Sequence, residues 1–312
     1  MQANMGLVGE FRCVVKRADG STKIDTGYQK NLILNQGLDF FGGGKGTDMM
    51  AYCVIGSGNS QPIYTQNKLD TAITGVVGSG ASYKYDYDAA RDGNLYKANK
   101  VCKYSFTGLN NVNISEVGLA SNYSNTTTYY LCTRALIKDS QGNPTTITVL
   151  SGEILEVYYK LWSVFDTTDK TGQINVLDGA GNQVAYNYKA RLMKVGDTSY
   201  TGYVNSLSRD WKKQYLYSGD LVAITGTPSG ELYSSGSLQV SPYVLGSYKS
   251  VYSFEVATSD GNGKIRTYAL EVLGYWQIRF GSVADDSTIT KTSTQSLTIP
   301  VEVSWGRYEG VL

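Results

Sequence analysis

The chain has 312 residues, with 28 Lys plus Arg against 27 Asp plus Glu and a formal net charge of +1. That length predicts about two domains, and the near-balance of charge argues against a dedicated nucleic-acid binder, whose affinity comes from neutralised phosphates. There is no histidine, which removes Ser-His-Asp triads, histidine general bases and every zinc site with a histidine ligand.

The first element is a hairpin. Residues 10–17 carry a strand pattern, Ala18-Asp19-Gly20-Ser21 is a turn centred on Asp-Gly, and Thr22 begins the return strand. Leu34, Leu38 and Phe41 fall at i, i+4 and i+7 and predict a short helix over 35–41. Asn35 is its expected N-cap, and Gly42-Gly43-Gly44 its stop. Residues 51–55 return to strand, and 65–69 predict a single helical turn. From 82 to 88 the tyrosines Tyr83, Tyr85 and Tyr87 alternate with polar residues, so all three share one strand face. Further strands are predicted over 100–106, 112–120, 129–137, 147–149 and 154–165.

The polar run 166–172 marks a boundary between an N-terminal domain, 1–165, and a C-terminal domain, 166–312. Beyond it, 174–177 and 184–188 flank a five-residue polar loop. Strands are then expected over 250–257, 264–272 and 276–280. Leu297, Ile299, Val301, Val303 and Trp305 alternate with polar residues, and Pro300 suggests an edge strand. Tyrosine numbers 26 and glycine 35, a composition that suits strands joined by tight turns. The expected fold is mainly β, with two antiparallel sandwich-like regions and one or two short helices near the N-terminus.

No catalytic, cofactor or metal constellation emerges. Lys45 in Gly42-Gly43-Gly44-Lys45-Gly46-Thr47 is followed by Gly46, whereas a phosphate loop needs Ser or Thr there. Cys13, Cys53, Cys102 and Cys132 form no CxxC pair and predict four free thiols in a reducing cytoplasm. Residues 1–6 lack the basic start and apolar core of a signal peptide, and no apolar run is long enough to span a bilayer. The Tyr83, Tyr85, Tyr87 stripe has two readings, a core-facing sheet face or an exposed platform for sugars or a protein partner.

Three groups of segments resemble structural proteins of tailed bacteriophages. Thr26-Gly27-Tyr28-Gln29-Lys30-Asn31-Leu32-Ile33-Leu34-Asn35-Gln36-Gly37-Leu38-Asp39 resembles an NLI-N-GLD segment. Gly56-Ser57-Gly58-Asn59, Pro62, Thr65 and Leu69 stand where a glycine-rich stretch follows it, with Ser57 where Thr is usual. Ile114-Ser115-Glu116-Val117-Gly118-Leu119-Ala120, then Cys132-Thr133-Arg134-Ala135-Leu136-Ile137, then Ile154-Leu155-Glu156-Val157-Tyr158-Tyr159 are similar to an ISEVGL, RALI, LxVxY succession. Trp276-Gln277-Ile278-Arg279-Phe280, Lys291-Thr292, Leu297 and Val303-Ser304-Trp305-Gly306-Arg307-Tyr308 form the third group. Residues 166–270 carry the least of the resemblance.

The resemblance implies a non-enzymatic virion component of the tail, neck, collar or baseplate, made in the host cytoplasm. Its expected partners are copies of itself in a closed symmetric oligomer and other tail or neck proteins. A second reading is an adhesin that binds host-surface glycan, with Tyr83, Tyr85 and Tyr87 as its platform. A third is a polysaccharide-cleaving enzyme using paired carboxylates. Within the resembling segments, Glu116 and Arg134 each place a charge in an otherwise apolar strand. They are expected to pair across neighbouring strands or with an adjacent subunit, unless both face solvent.

Overall fold

The computed structural model describes residues 2–46, 48–87, 94–197, 203, 212–236 and 239–310, with backbone alone for residue 2 and residues 81–87. The fold is mainly β, with several antiparallel sheets and a helix, Asn35–Gly43, near the N-terminus. The predicted hairpin is present: strand Thr22–Asp25 returns along strand Gln2–Lys16, and the Gly20 amide donates to the Arg17 carbonyl at 2.9 Å.

The largest sheet has nine strands. Its main path runs Gln239–Val240, Lys249–Val256, Leu297–Arg307, Gln2–Lys16, Ile154–Asp166, Leu95–Phe106 and Ser79–Tyr87. The first strand lies antiparallel to Ile154–Asp166, with Glu10 opposite Lys160, and parallel to the last strand, with Met5 opposite Trp305. Strands from both sides of residue 166 therefore share this sheet. One buried apolar cluster likewise joins Met5, Phe11 and Tyr159 to Phe254, Trp276 and Trp305.

Alternation dictates which side chains go inside. Leu155, Val157, Tyr159 and Leu161 are all fully buried, while the intervening Glu156, Tyr158 and Lys160 are half-exposed. The last strand behaves in the same way: Leu297, Ile299, Val301, Val303 and Trp305 are all buried. It is not a sheet edge, because it pairs with Lys249–Val256 on one side and with the first strand on the other. Pro300 is tolerated because the described ladder with the first strand begins only at Glu302.

A six-stranded sheet, ordered Leu32–Ile33, Thr133–Leu136, Glu116–Tyr123, Tyr52–Gly56 and Ala72–Val77 with Tyr129–Leu131 alongside, lies next to the helix in sequence. A second six-stranded sheet contains Lys170–Leu177, Gln183–Leu192, Tyr275–Ser282, Thr267–Glu271, Lys213–Tyr217 and Glu231–Ser235. The strand Lys170–Leu177 forms one end of it.

The helix departs from expectation at its start. Leu34, with φ −77° and ψ 161°, occupies the cap position and makes no side-chain cap bond. Asn35 lies inside the helix, and its Oδ1 accepts a hydrogen bond from Arg307 Nη2 at 2.7 Å instead. Residues 65–69 form no helix; the Gln66 amide closes a turn onto the Ile63 carbonyl at 3.2 Å. Gly37 is required where the helix rests on its neighbour: a Cβ there would stand 2.0 Å from the Cys132 carbonyl oxygen.

Trp305 ties the last strand to this helix. Its Nε1 donates to the Leu38 carbonyl at 2.7 Å, and its ring lies 5.9 Å from those of Phe41 and Tyr243. Trp305→Ala is expected to lower stability by about 3–5 kcal/mol, since it removes a buried aromatic and orphans a carbonyl. A thermal melt coincident with wild type would overturn that packing argument.

Candidate functional site

The two faces of the sheet that carries Glu116 have different neighbours. Cys53, Ile55, Val117, Leu119 and Ala135 belong to the main core. Leu34, Val54, Leu69, Ala120, Tyr129 and Leu131 form a separate small cluster. Glu116 lies opposite Gly56 on one side and Leu136 on the other, and shares a face with Val54, which stands opposite Gly118, and with Ala120 four residues along. Alternation therefore sets it on the face covered by the segment 57–71.

The structure brings Glu116 and Arg134 together. Arg134 Nε donates to Glu116 Oε2 at 2.8 Å, and both side chains are fully buried. Three backbone amides of the covering segment converge on the same carboxylate. Gly58 and Thr71 donate to Oε1 at 3.0 and 2.9 Å, and Asp70 donates to Oε2 at 3.2 Å. The far side of the guanidinium holds the same segment. Arg134 Nη2 reaches the Ser60 carbonyl at 3.1 Å and the Asp70 carboxylate at 2.7 Å, and Nη1 reaches Ser60 Oγ at 3.3 Å.

Glu116 thus receives four donors on two oxygens, close to what a carboxylate can accept. Burial works to raise the Asp70 pKa, but the Ser60 hydroxyl and amide, with Arg134, outweigh it and hold the carboxyl below its usual range. Gly58 is needed for this approach, because a Cβ there would come within 2.4 Å of Glu116 Oε1 and 2.3 Å of Asp70 Cβ. With the Glu116 carboxylate and the Arg134 guanidinium so engaged, the arrangement fastens a loop. It is a clasp.

Arg307 makes a second tie between distant segments. Its Nε donates to the Ile33 carbonyl at 2.6 Å, and its guanidinium lies 3.9 Å from the centre of the Tyr64 ring. The Asn35 amide in turn donates to the Tyr64 carbonyl at 2.8 Å.

Tyr83, Tyr85 and Tyr87 lie on the end strand of the nine-stranded sheet, in register with Lys100, Ala98 and Tyr96. Their side chains lie outside the described residues. All four cysteines are free and buried, and burial pushes Cys13 and Cys132 up to about 12. Among the described residues no group of three or more Cys, Asp or Glu side chains could hold a metal ion. No helix among them is long and apolar enough to cross a membrane.

Sequence reasoning missed the other buried charged groups, two sites among them. Lys194 Nζ meets Glu271 Oε1 at 3.3 Å, and Tyr215 donates its hydroxyl to the same oxygen at 3.0 Å. Burial, then Glu271, pushes the Tyr215 hydroxyl above its ordinary pKa. The buried Asp39 accepts from the Tyr243 hydroxyl at 2.6 Å and the Gly246 amide at 2.8 Å. The signal that singled out Glu116 was available for both: Glu271 sits between Leu270 and Val272, and Asp39 between Leu38 and Phe40.

Compared with models of protein families, with curated proteins and with solved structures, the chain matches none.

Proposed function

We propose that this protein is a non-enzymatic structural component of a tailed-phage virion, in the tail, neck, collar or baseplate, assembling through repeated protein–protein interfaces. The observation that carries the reading is how the resembling segments meet. Segment 26–39 touches segment 303–308 through Arg307 and Trp305, and touches 132–137 where Gly37 rests on Cys132. Segments 114–120 and 132–137 meet at Glu116 and Arg134, which hold the glycine-rich segment 57–71. Pieces far apart in sequence thus interlock in one construction whose polar groups are spent on rigidity, as a load-carrying subunit requires. Partners would be copies of the chain and other tail or neck proteins.

Mass spectrometry of purified virions tests the reading. The chain is expected there in a fixed copy number, and its absence from intact particles would overturn the proposal.

A glycan-binding adhesin is the second reading, and one cleft favours it. Trp276 and Tyr188 line a volume of about 390 Å³ together with Asn4, Asp166, Asp169 and Ser304. The part-exposed Tyr188 ring beside carboxylates and an amide is what sugar ring faces and hydroxyls pair with. A glycan array on the purified chain decides between the readings, since a scaffold subunit binds nothing on it.

A further inference from the structure

We propose that Asn262 is a self-modifying site, at which the Gly263 backbone nitrogen displaces ammonia from the side-chain amide and the acid that follows becomes the counter-ion of the buried Lys291 ammonium. The inference stands apart from the virion and adhesin readings and holds under either.

The need for an anion comes from Lys291. The residue is 3% exposed, and its Nζ donates to Asn262 Oδ1 at 3.0 Å, to the Thr258 carbonyl at 3.3 Å and to the Thr292 carbonyl at 3.5 Å. All three acceptors are neutral, and among the described residues no carboxylate forms an ion pair with it. Buried Lys194, in contrast, meets Glu271 Oε1 at 3.3 Å. A buried ammonium held only by dipoles keeps part of its desolvation cost. Burial accordingly lowers the Lys291 pKa, and the charge of Asp260 opposes the fall.

The means of supplying one lies in the turn 259–263. Asn262-Gly263 is the one Asn-Gly pair in the sequence. Asparagine closes a five-membered imide most readily before glycine, because no side chain shields the attacking nitrogen. Gly263 has φ +142°, which side chains rarely allow, and a Cβ there would meet only the Leu232 methyls at 3.5 Å, so this flank of the backbone is uncrowded. The Asn262 side chain is exposed, within reach of water and hydroxide. Lys291 also acts on the step itself. Its donation to Oδ1 draws electron density off Cγ and stabilises the negative charge that develops on that oxygen as the nitrogen adds. The group that lacks an anion thus promotes the reaction that makes one.

The atoms balance with water alone. Hydroxide takes the Gly263 amide proton, the nitrogen bonds to Asn262 Cγ, the Cγ–Nδ2 bond breaks, and Nδ2 leaves as ammonia with a proton from water. Water then opens the imide. Cleavage of the new Cγ–N bond yields aspartate with the main chain restored, and cleavage on the main-chain side yields isoaspartate. No oxidant or reductant enters, and the net change is amide plus water to acid plus ammonia. Aspartate puts a charged oxygen where Lys291 already meets Oδ1. An ion pair then joins strand Ile289–Lys291 to the turn that leads into its partner strand, Gly263–Ile265.

Peptide mapping of the full chain during storage at neutral pH tests the reaction. The fragment holding residues 262 and 263 is expected to gain about 1 Da before any other asparagine-containing fragment, and to split into aspartate and isoaspartate forms. Asn262→Gln is expected to fold as wild type by circular dichroism and to gain nothing there. Melting tests the ion pair. Asn262→Asp is expected to melt above wild type at neutral pH and to lose that gain in acid, where the new carboxylate beside Lys291 and Asp260 takes up a proton. In a Lys291→Met background the same substitution is expected to bring no gain. Three results would each overturn the proposal: an Asn262 that outlasts the other asparagines, an Asn262→Asp chain that melts with or below wild type, or a fragment in which residue 262 is joined by an amide to Lys291, which would make the lysine the nucleophile.

Discussion

Glu116→Ala is expected to destabilise the protein more than Arg134→Ala, although the two side chains are direct partners. Removing the carboxylate leaves the Gly58, Asp70 and Thr71 amides without their acceptor and leaves the guanidinium with Asp70 and Ser60. Removing the guanidinium leaves the carboxylate with its three amide donors still in place. Breaking one side of a buried pair costs about 3–5 kcal/mol, with Glu116→Ala expected at the upper end and Arg134→Ala at the lower. The double variant should fall well short of the sum of the single losses, since the second truncation removes a group already stripped of its partner. Denaturant unfolding of the four proteins measures both the order and the coupling. Simple additivity, or Arg134→Ala as the worse variant, would show that the amides do not depend on this carboxylate. In either variant, hydrogen exchange should accelerate first in segment 57–71.

Stability is expected to stay level from about pH 6 to 8 and then to fall steeply in alkali. The plateau follows from the absence of histidine, the side chain that ordinarily titrates in that range. The fall follows from the thiols. Burial raises Cys13 and Cys132 to about 12 and Cys53 well above the ordinary 9.0, and raises Cys102 as well. An acid whose folded pKa is raised keeps its proton longer in the folded state than in the unfolded state. Its stabilising contribution is therefore complete below the unfolded pKa and is lost as pH climbs towards the folded value. Each fully buried thiol removes about 1.4 kcal/mol per pH unit across that window. Cys13 and Cys132 together reach about 3 kcal/mol per unit, which within two units rivals the lower end of a typical domain stability of about 5–15 kcal/mol, and Cys53 acts in the same direction. Above pH 10 the buried Tyr104, Tyr159, Tyr203 and Tyr268, all raised by burial, add to the slope. Near-ultraviolet circular dichroism should collapse cooperatively, with tyrosinate absorbance rising in the same step. Smooth tyrosine titration with the tertiary signal intact would show that these groups reach water without unfolding.

How much of this was legible depended on whether the information was local. The strands 154–165 and 297–305 declared themselves because their two faces meet different surroundings, so apolar and polar residues alternate cleanly. The Glu116 and Arg134 pairing was expected on the same ground, a charge in an apolar strand. Asp70 and Ser60 could not be foreseen as its partners, because they come from a loop whose path has no periodicity. Strand Ala72–Val77 was missed because its residues are mostly half-buried on both faces, which erases the contrast that alternation needs. Asn35 has the chemistry of an N-cap, but Arg307, 272 positions away, claims its side-chain oxygen. The parallel pairing of Gln2–Leu7 with Glu302–Arg307 leaves no local mark at all.

That pairing also bears on how the protein is made. Residue 2 lies opposite residue 302, so the ladder between them closes only after nearly the whole described chain has been synthesised. The first strand emerges from the ribosome long before its parallel partner, and until then one flank of residues 2–7 offers unpaired amides and carbonyls to any other strand nearby. Exposed flanks of this kind invite pairing between nascent chains. The entropy of closing so large a loop grows only with the logarithm of its length, so the final state suffers little, but the order of events is constrained. The nine-stranded sheet can be completed only once residues 302–307 have been made.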